Sequence, residues 1–556
     1  MKLHRRTYPA AVALLLSASL CWARLEAADP VPISGTLAAD TTFASDPGSY
    51  FVEGNLVVPS GVTLRIEPGV TVLVKSSVSI TVQGALQADG TEEKPILFTR
   101  QAAGAAWERI LFVKAADSRF VHCVFEYTDS EGAHQDYYTP GPRTYHEAIV
   151  VLASHVDFDR CTFRRMPDDS AGAEGDAIAI ISDDPDNPGA ATASIRACRF
   201  LAIGQGVHER YSSIVVENCF FTGKRGDNDD IDLYGESTPP PLVRNNVLVD
   251  PEHDDMINPT RCSAVIIGNY LSGGDDHGMV LRDESSPIVM NNIIEKCANG
   301  GIAVENTCNA LLVNNTIVDC GRGIRLFDLG RWGAPYFLKP GGGTATVINC
   351  IVWDCPQPIT LADSSNTEIA DKGSHVTVIR SDVESGRAGV SVSGAQSTVT
   401  WGEGNIDADP LFVDAATADF HLKAGSPAID AGVADRAPAT DREGNPRPCA
   451  SGYDLGAYES CSETPVPFLR ADPNGDGRQD LTDAVAILFY LYAAGTEPTC
   501  EKSADADDGG QVDMTDAIYI LGYLFRDAPA IPEPSPICGA DPTSDALRCA
   551  SYPSCP

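Results

Sequence analysis

The sequence predicts a mainly β protein: a right-handed parallel β-helix, which is a solenoid of repeated coils, followed by a small α-helical domain. Three observations lead to this prediction. A motif of β-branched residues recurs about every 23 residues through the middle of the chain. A different repeat, rich in Asp and Gly, lies near the C-terminus, where the pattern that starts at Asp472 returns at Asp505. The chain of 556 residues is also too long for one ordinary compact core, which favours a repeat array or several domains.

The N-terminal segment 1–28 is typical of an export signal. Lys2, Arg5 and Arg6 precede an apolar run over residues 10–20, and small residues around Ala28 offer a cleavage site. That run is too short to span a bilayer well, and no later stretch is long and apolar enough to do so. We therefore expect a secreted protein, extracellular or at the cell surface, with no membrane span.

The charge balance restricts the partners of the protein. The chain carries 77 acidic and 40 basic residues, which gives a formal net charge of −37. Such a surface repels the phosphate backbones of nucleic acids, so we expect no nucleic-acid partner. It favours cations, and Ca²⁺ in particular.

Each coil of the predicted solenoid ends in a small polar residue. Asn246, Asn269, Asn292 and Asn315 follow one another at equal steps of one coil, each after a short β-branched strand. In a solenoid, successive coils pair in parallel at about 4.8 Å, so equivalent residues stack in columns. Parallel crossovers are right-handed in nearly all cases. An Asn in such a column can hydrogen-bond the neighbouring turn, which predicts an Asn ladder.

Cysteines fall into two groups. Those in the ladder column are expected to be small buried fillers rather than disulfides, because free Cys is among the most buried residue types; they are Cys123, Cys161, Cys198, Cys219 and Cys350. Cys449 and Cys461 flank a late segment and could bond to each other. The cysteines in Pro-rich surroundings near the C-terminus are expected to form disulfides; they are Cys500, Cys538, Cys549 and Cys555.

These features divide the chain into five segments. We expect a signal peptide at 1–28, an N-terminal cap with the first coils at 29–110, the parallel β-helix at 111–405, a closing segment at 406–462, and the calcium-binding domain with its disulfide-rich tail at 463–556. Residues 64–70 and 425–432 resemble the opening and closing segments of exported bacterial β-helix proteins.

Two acidic loops indicate calcium. Oxygen-bearing residues stand at the ligand positions of an EF-hand-like loop, with Gly477 and Gly510 at the sharp turn. Each loop precedes an apolar helical segment, and a tandem pair of such loops is a specific signal. The expected ligands are Asp472, Asn474, Asp476, Arg478, Asp480 and Asp483 in the first loop, and Asp505, Asp507, Gln511, Asp513 and Asp516 in the second.

Because the loops end in Asp, are duplicated and lack an entering helix, the domain resembles type I dockerin modules. The resemblance implies two bound Ca²⁺ ions and a cohesin-like or cell-surface partner. Two departures from the family pattern matter. Gly509 at position 5 of the second loop supplies no side-chain ligand, so we expect that site to be the weaker one. Leu481 and Met514 interrupt the Ser/Thr pairs that dockerins often use to recognise cohesins.

One strip of the solenoid carries the residues for chemistry. Asp229, Asp254 and His277 follow one another at intervals of about one coil, which predicts that they occupy nearly the same place on consecutive coils. Stacked carboxylates about 5 Å apart raise one of their pKa values, which gives a proton donor beside an ionised partner. Glycoside hydrolysis requires such a pair.

The strip resembles the Asn-Thr-Asp, Asp-Asp and His-Gly motifs of polygalacturonases, which are parallel β-helix enzymes. The resemblance implies catalytic roles for Asp229, Asp254, Asp255 and His277. The family's Arg-Ile-Lys motif is matched at best by residues 323–327, in which Phe327 replaces the Lys. We expect substrate, an extracellular polysaccharide, to contact four residues: Arg282, Arg325, Trp332 and Tyr336.

Two other functions remain open. In a calcium-dependent polysaccharide lyase, Asp230, Asp232 and Asp255 would hold the metal, and Arg282 or Arg325 would be the base. In a non-catalytic surface or adhesion protein the acidic strip would be a solvated face. The enzyme hypothesis predicts that the strip converges within about 10 Å at an exposed spot. The adhesion hypothesis predicts side chains splayed along the flank.

Overall fold

The computed structural model describes residues 29–103, 106–128, 147–166, 175–184, 189–223, 229–249, 255–328, 340–364, 373–449, 451–461, 466–493, 495, 497–526, 528–543, 547, 549 and 551–555. The chain separates into two compact units. One extends to Glu459, apart from residues 423–425, and the other comprises mainly residues 460–556.

The first unit is a parallel β-helix with three strands in each full coil. Sheet A contributes the first strand of the coil, and its 14 strands pair in parallel in chain order. These are Thr41–Phe43, Thr63–Ile66, Ala85–Asp89, Ser118–Val121, His155–Asp159, Thr192–Arg196, Ser213–Glu217, Leu242–Arg244, Val265–Ile267, Ile288–Met290, Asn309–Val313, Thr344–Ile348, His375–Ile379 and Thr398–Trp401.

Sheet B follows sheet A after a short turn in most coils. Its strands are Val31–Thr36, Ser49–Val58, Thr71–Val74, Ile96–Arg100, Cys123–Glu126, Thr162–Arg164, Arg199–Leu201, Phe220–Thr222, Val247–Val249, Tyr270–Ser272, Ile293–Glu295, Thr316–Val318, Ile351–Trp353 and Asp382–Val383. The long strand Ser49–Val58 continues into sheet C, because it pairs with Thr71–Val74 and also with Ile80–Val82.

Sheet C completes the coil and carries the candidate site. Its remaining strands are Ile80–Val82, Ile110–Val113, Ile149–Leu152, Ile178–Ile181, Val207–Arg210, Ile231–Tyr234, Ile257–Thr260, His277–Arg282, Gly300–Glu305, Ile324–Phe327, Ile359–Ala362 and Val390–Ser393. Short 3₁₀ turns, Gly386–Gly389 and Ala415–Thr417, and an antiparallel pair, Phe412–Asp414 with Asp419–Leu422, follow the last coils.

The predicted Asn ladder is confirmed. The backbone N–H groups of Asn246, Asn269 and Asn292 each donate to the side-chain Oδ1 of the Asn on the next coil, at 2.9–3.0 Å. Each Asn also donates its Nδ2 to a backbone carbonyl of the preceding coil, as Asn269 does to Val243 at 3.0 Å. The ladder thus satisfies polar backbone groups that the turn between sheets A and B would otherwise leave buried without partners.

The cysteine predictions are also confirmed. The cysteines predicted as fillers are free and buried. Cys219 lies in the ladder column, because its backbone N–H donates to Asn246 Oδ1 at 2.9 Å. Cys500 pairs with Cys549, and Cys538 pairs with Cys555. Cys449 and Cys461 are disulfide-bonded as well.

Apolar residues facing inward form one continuous core along the solenoid. One column is aromatic: Phe98, Phe125, Phe163, Phe200 and Phe221 stack at centroid distances of 4.4–5.0 Å. This aromatic stack fills part of the interior on successive coils with side chains of one shape, which suits a strictly repeating backbone.

Three residues that directly precede ladder positions contact the closing segment of the chain. Asn291, Asn314 and Asn349 adopt φ between +52° and +54°, which turns their side chains away from the ladder. Their Nδ2 groups donate to backbone carbonyls of the closing segment, those of Thr440, Asp454 and Val433, at 2.8–2.9 Å. The closing segment is therefore held along the outer face of sheet B, where Phe420 and Tyr458 pack on Ile293.

The described residues of the second unit form three helices, Leu481–Tyr492, Glu501–Ala504 and Met514–Phe525. Asp480 and Asp513 cap the two long helices, each in a capping box with the Asp at the third helical position. The small core between these helices is built from Ala484, Ile487 and their repeat equivalents Ala517 and Ile520. The Asp- and Gly-rich repeat seen in the sequence is thus a structural repeat.

Candidate functional site

A column of buried polar residues precedes the strands of sheet C. The register pairs Ile231 with Ile257 and Ile257 with Met279, so Asp229, Asp255 and His277 occupy equivalent places two positions earlier. The same register extends the column toward the N-terminus. Its members, which we call the polar column, are Glu147, Asp176, Gln205, Asp229, Asp255 and His277.

His277 is the best-connected residue of the polar column. Its Nδ1 lies 3.2 Å from Asp255 Oδ1 and 2.8 Å from Asp276 Oδ1. Burial disfavours the charged imidazole, but these two carboxylates outweigh it and raise the pKa of His277 to about 9. The hydrogen bond from His277 in turn lowers the pKa of Asp276 to about 2. His277 is therefore a fixed cation at neutral pH.

Asp255 lies between two cations. Besides His277, the guanidinium of Arg282 reaches Asp255 Oδ2 at 3.3 Å, and its Nε lies 3.7 Å from Glu305 Oε2. Burial raises the pKa of Glu305 despite this guanidinium. The network therefore crosses three coils of sheet C, with Asp255 on the first, His277 and Arg282 on the second, and Glu305 on the third.

Asp229 is held from the neighbouring strand. Asn258 donates its Nδ2 to Asp229 Oδ2 at 2.7 Å, and Thr260 donates its hydroxyl to Asn258 Oδ1 at 3.2 Å. A second His–Asp pair lies beside it, with His208 Nδ1 3.2 Å from Asp232 Oδ2. Asp229 and Asp255 are thus both held by side chains of adjacent coils.

Space for the His277 ring depends on a glycine. A Cβ atom at Gly300, on the next coil, would lie 2.9 Å from His277 Cδ2. The imidazole Nε2 faces the same side, 3.5 Å from that position, and is buried with no hydrogen-bond partner among the described residues. One ring nitrogen therefore holds the carboxylates, and the other lies buried beside Gly300.

The structure brings together part of the predicted site. Asp229, Asp255 and His277 share the polar column, and Asp255 takes the place that the spacing had given to Asp254. Asp254 itself, with Trp332 and Tyr336, lies outside the described residues. Arg325 lies in sheet C two coils beyond His277, with its guanidinium 3.7 Å from the centre of the Phe327 ring.

The expectation of an exposed spot is wrong. Asp229, Asp255 and His277 are only 8%, 3% and 4% exposed. The physical reason is that each finds its partner on the same or the next coil, at the close spacing of parallel strands, so little of it faces water. Asp255 and His277 are not splayed along the flank, because His277 Nδ1 lies 3.2 Å from Asp255 Oδ1.

The metal ligands expected for a lyase are not brought together. Among the described residues of the solenoid, the group whose ligand atoms lie within 4.8 Å of one another is Asp255, Asp276 and His277, not Asp230, Asp232 and Asp255. Arg282, a candidate base in that scheme, is an ion-pair partner of Asp255.

The sequence reasoning missed Asn258, Asp276 and Glu305 as members of the site. Asn258 and Glu305 lie inside strands. Alternation of apolar and polar residues shows that a side chain points outward, but it does not show whether that side chain belongs to a site or is only exposed to solvent. The sequence did contain one usable signal, because Asp276 directly precedes His277. In the structure, Asn299 on the next coil donates its Nδ2 to Asp276 Oδ1 at 2.6 Å.

The predicted calcium loops also have a defined geometry. In the second loop, carboxylate oxygens of Asp505, Asp507 and Asp516 lie within 4.8 Å of one another. In the first, Asp472 Oδ2 accepts from Gly477 N–H at 2.7 Å. Burial, reinforced by neighbouring carboxylates, raises the pKa of Asp483 to about 7.

Comparison with known proteins concerns the solenoid. A family model described as a right-handed β-helix region matches residues 147–331 and, in a second alignment, 225–369. The matched residues include the polar column and the ladder. The solenoid is a right-handed parallel β-helix. No curated protein matches the sequence significantly.

Several solved structures are similar to this β-helix. A periplasmic alginate epimerase is 12% identical, with 60% of this chain and 78% of that chain covered and a TM-score of 0.31. The pectate lyase Pel9A is 14% identical, with 72% and 88% covered and a TM-score of 0.34. A lacto-N-biosidase from Eubacterium ramulus is 12% identical, with 61% and 62% covered and a TM-score of 0.30. In the described part of the chain, no helix is long and apolar enough to cross a membrane.

Proposed function

We propose that the protein is secreted and that its β-helix hydrolyses glycosidic bonds of an extracellular polysaccharide. The observation that carries the proposal is the stacking of Asp229, Asp255 and His277 on consecutive coils, with Asp255 ion-paired to His277 and Arg282. Two carboxylates held this close are the machinery that glycoside hydrolysis requires.

Different surroundings give the two carboxylates different roles. Asp255 lies against two cations and acts as the anionic nucleophile. Asp229, which Asn258 holds from the neighbouring strand, is the second carboxylate, and we assign it the role of proton donor to the leaving oxygen. Strands of adjacent coils are about 4.8 Å apart. Two carboxylates that project from adjacent strands at this spacing suit the roughly 5 Å carboxylate separation of retaining enzymes better than the wider one of inverting enzymes, so we expect retention of anomeric configuration.

His277 and Asp276 position the nucleophile. The protonated imidazole bridges Asp276 and Asp255, so the Asp255 carboxylate is fixed in one orientation. Its Nε2–H lies buried on the side of Gly300, which keeps the ring in one orientation. This arrangement supplies orientation at a site whose groups need not reorganise during the reaction.

Incubation of the protein with a panel of neutral and uronate polysaccharides tests this proposal. The expected result is the release of new reducing ends that is insensitive to chelator, with products of retained configuration. Products with unsaturated ends that require calcium would instead indicate the lyase. If no substrate yields products, with or without calcium, the hydrolase proposal is rejected in favour of a non-catalytic surface protein.

For the C-terminal unit we propose binding of two Ca²⁺ ions. The residues fit the ion: three carboxylates converge in the second loop, and in the first loop Asp483 Oδ1 is buried with no hydrogen-bond partner among the described residues. An oxygen left in this state is costly unless a cation binds it. Calorimetric titration of the chelator-treated protein should show two sites, and the absence of calcium binding would reject the proposal.

We further propose that this unit attaches the protein to a cohesin-like or cell-surface partner. Each long helix exposes an apolar stripe, and two members of each stripe are equivalent in the repeat, Leu481 with Met514 and Tyr492 with Phe525. Leu481, Phe489 and Tyr492 are 50–67% exposed on one helix, and Met514, Ile518 and Phe525 are 50–68% exposed on the other. Exposed apolar stripes of this kind are typical of interaction surfaces. The expected result is that the wild-type protein binds an isolated cell-surface fraction and that a Phe489→Ser variant does not.

A further inference from the structure

The C-terminal tail lies directly on the first calcium loop. The Tyr552 hydroxyl donates to the carboxylate of Asp472, the residue at loop position 1, and lies 3.2 Å from its backbone carbonyl oxygen. Ser554 donates its hydroxyl to the carbonyl of Gly475. Pro553 packs so closely on Gly475 that a Cβ atom there would lie 3.0 Å from the proline ring. Three successive tail residues thus contact the loop.

Both disulfides of the unit hold this segment in place. Cys549, shortly before Tyr552, is bonded to Cys500, and Cys555, directly after Ser554, is bonded to Cys538. The segment 552–554 is therefore tied to the rest of the unit on both sides. Tyr552 is 7% exposed and packs with Phe468 and Leu469, immediately before the loop.

The second loop is built differently. Its position-1 residue, Asp505, accepts from the N–H groups of Gly509 and Gly510 at 2.9 Å, as Asp472 does from Asp476 and Gly477. Within the described residues, however, no side-chain hydroxyl donates to Asp505. The nearby polar group is instead the buried guanidinium of Arg470, whose Nη1 lies 3.8 Å from Asp505 Oδ2. The tail contact therefore distinguishes one loop of the repeat from the other.

We infer that the disulfide-held tail is part of the first calcium site, with Tyr552 as a positioning residue for the ligand Asp472. The inference rests on the proposed binding of calcium. A hydrogen bond from an outer group fixes the orientation of a ligating carboxylate before the ion arrives, and loss of such a group costs about ten- to a hundredfold in metal affinity. The tail then makes high affinity at the first loop dependent on intact disulfides, and thus on an oxidising compartment.

Calorimetric titration of the full-length, chelator-treated protein with Ca²⁺ tests the inference. Tyr552→Phe should weaken one of two sites by about ten- to a hundredfold and leave the other unchanged. The matched control is Tyr519→Phe, which removes a hydroxyl bonded to Ala530 O at 3.3 Å and should leave both sites unchanged. A Cys538→Ser, Cys555→Ser double variant frees the end of the tail and should weaken the same site as Tyr552→Phe.

Terbium supplies a second readout, which reports on the tyrosine beside the first loop. Tb³⁺ binds oxygen sites of the calcium type and emits when an adjacent tyrosine is excited. Tyrosine-sensitised emission should come from the first loop and be lost in Tyr552→Phe, while Asp505→Asn in the second loop should preserve it.

Two results would overturn the inference while leaving calcium binding intact: two unchanged calcium affinities in Tyr552→Phe, or undiminished tyrosine-sensitised emission in that variant. Binding of no calcium by the wild-type protein would reject the proposed calcium function and this inference with it.

Discussion

The ionisation of His277 is the most direct physical test of the site. Its pKa of about 9, against an ordinary 6.5, comes from the ion pairs with Asp255 and Asp276. That difference corresponds to about 3 kcal/mol in favour of the folded state. Because the pKa is raised on folding, this stabilisation is fully present below about pH 6.5 and is lost as the pH rises through 9.

Carbon-13 labelling of the histidines and titration of the imidazole resonances by NMR would measure this pKa. The sequence contains 10 histidines, and the His277→Gln variant assigns the signal. The same variant should unfold at a lower temperature than the wild type, with the largest difference below pH 6.5 and a small one above pH 9. A His277 signal that titrates near or below 6.5 would refute the ion-pair argument, as would a stability difference independent of pH.

Three further predictions concern the solenoid. Asn269→Ala removes the acceptor of two hydrogen bonds from Asn246. Thermal unfolding should show a loss of stability of about 1–3 kcal/mol for each group left unpaired. Asn405→Ala, near the end of the ladder, should lose less stability, and equal losses in the two variants would contradict the ladder account. Burial raises the pKa of solenoid thiols such as Cys161, so the ten free cysteines of the described solenoid should resist a thiol reagent until denaturant is added. Rapid reaction of these cysteines in the native protein would count against their burial. Glu209 lies in the inward column between Ile180 and Leu233, and burial raises its pKa well above 4.5. The folded protein is therefore destabilised progressively as the pH rises above 4.5. Glu209→Gln should stabilise the protein more at pH 8 than at pH 5, and the reverse order would contradict this explanation.

The repeat was predictable because columns in a solenoid follow from spacing alone. Asn246, Asn269 and Asn292 are equally spaced along the chain, and the parallel register needs no further information to stack them. The same reasoning placed Cys219 in the ladder rather than in a disulfide. It also identified the acidic strip, since His277 and the Asp residues before it recur at nearly the same interval.

The spacing was insufficient where loops of variable length enter the coil. The step from Asp229 to Asp255 is longer than the step from Asp255 to His277, so a fixed interval selects Asp254 in place of Asp255. Burial of the strip was also not predictable, because a run of Asp residues is normally solvated. It follows from pairing with Arg282 and Asn258 on adjacent coils, which only the folded register reveals.

Long-range contacts of the two terminal segments were beyond sequence reasoning as well. Asn291 and Asn314 each contact a part of the closing segment that lies far along the chain, at Thr440 and Asp454. Tyr552 is likewise remote in sequence from Asp472. No local pattern predicts which tail residue meets which loop.

The central claim is that Asp255 is a catalytic carboxylate on a polysaccharide-acting β-helix. The decisive measurement compares the rate of reducing-end release by the wild type, by Asp255→Asn and by Asp117→Asn, in which the same substitution falls on an exposed turn. Far-ultraviolet circular dichroism should show that all three are folded. We predict a loss of at least about a hundredfold for Asp255→Asn and an unchanged rate for Asp117→Asn. Equal rates for all three proteins would contradict the account.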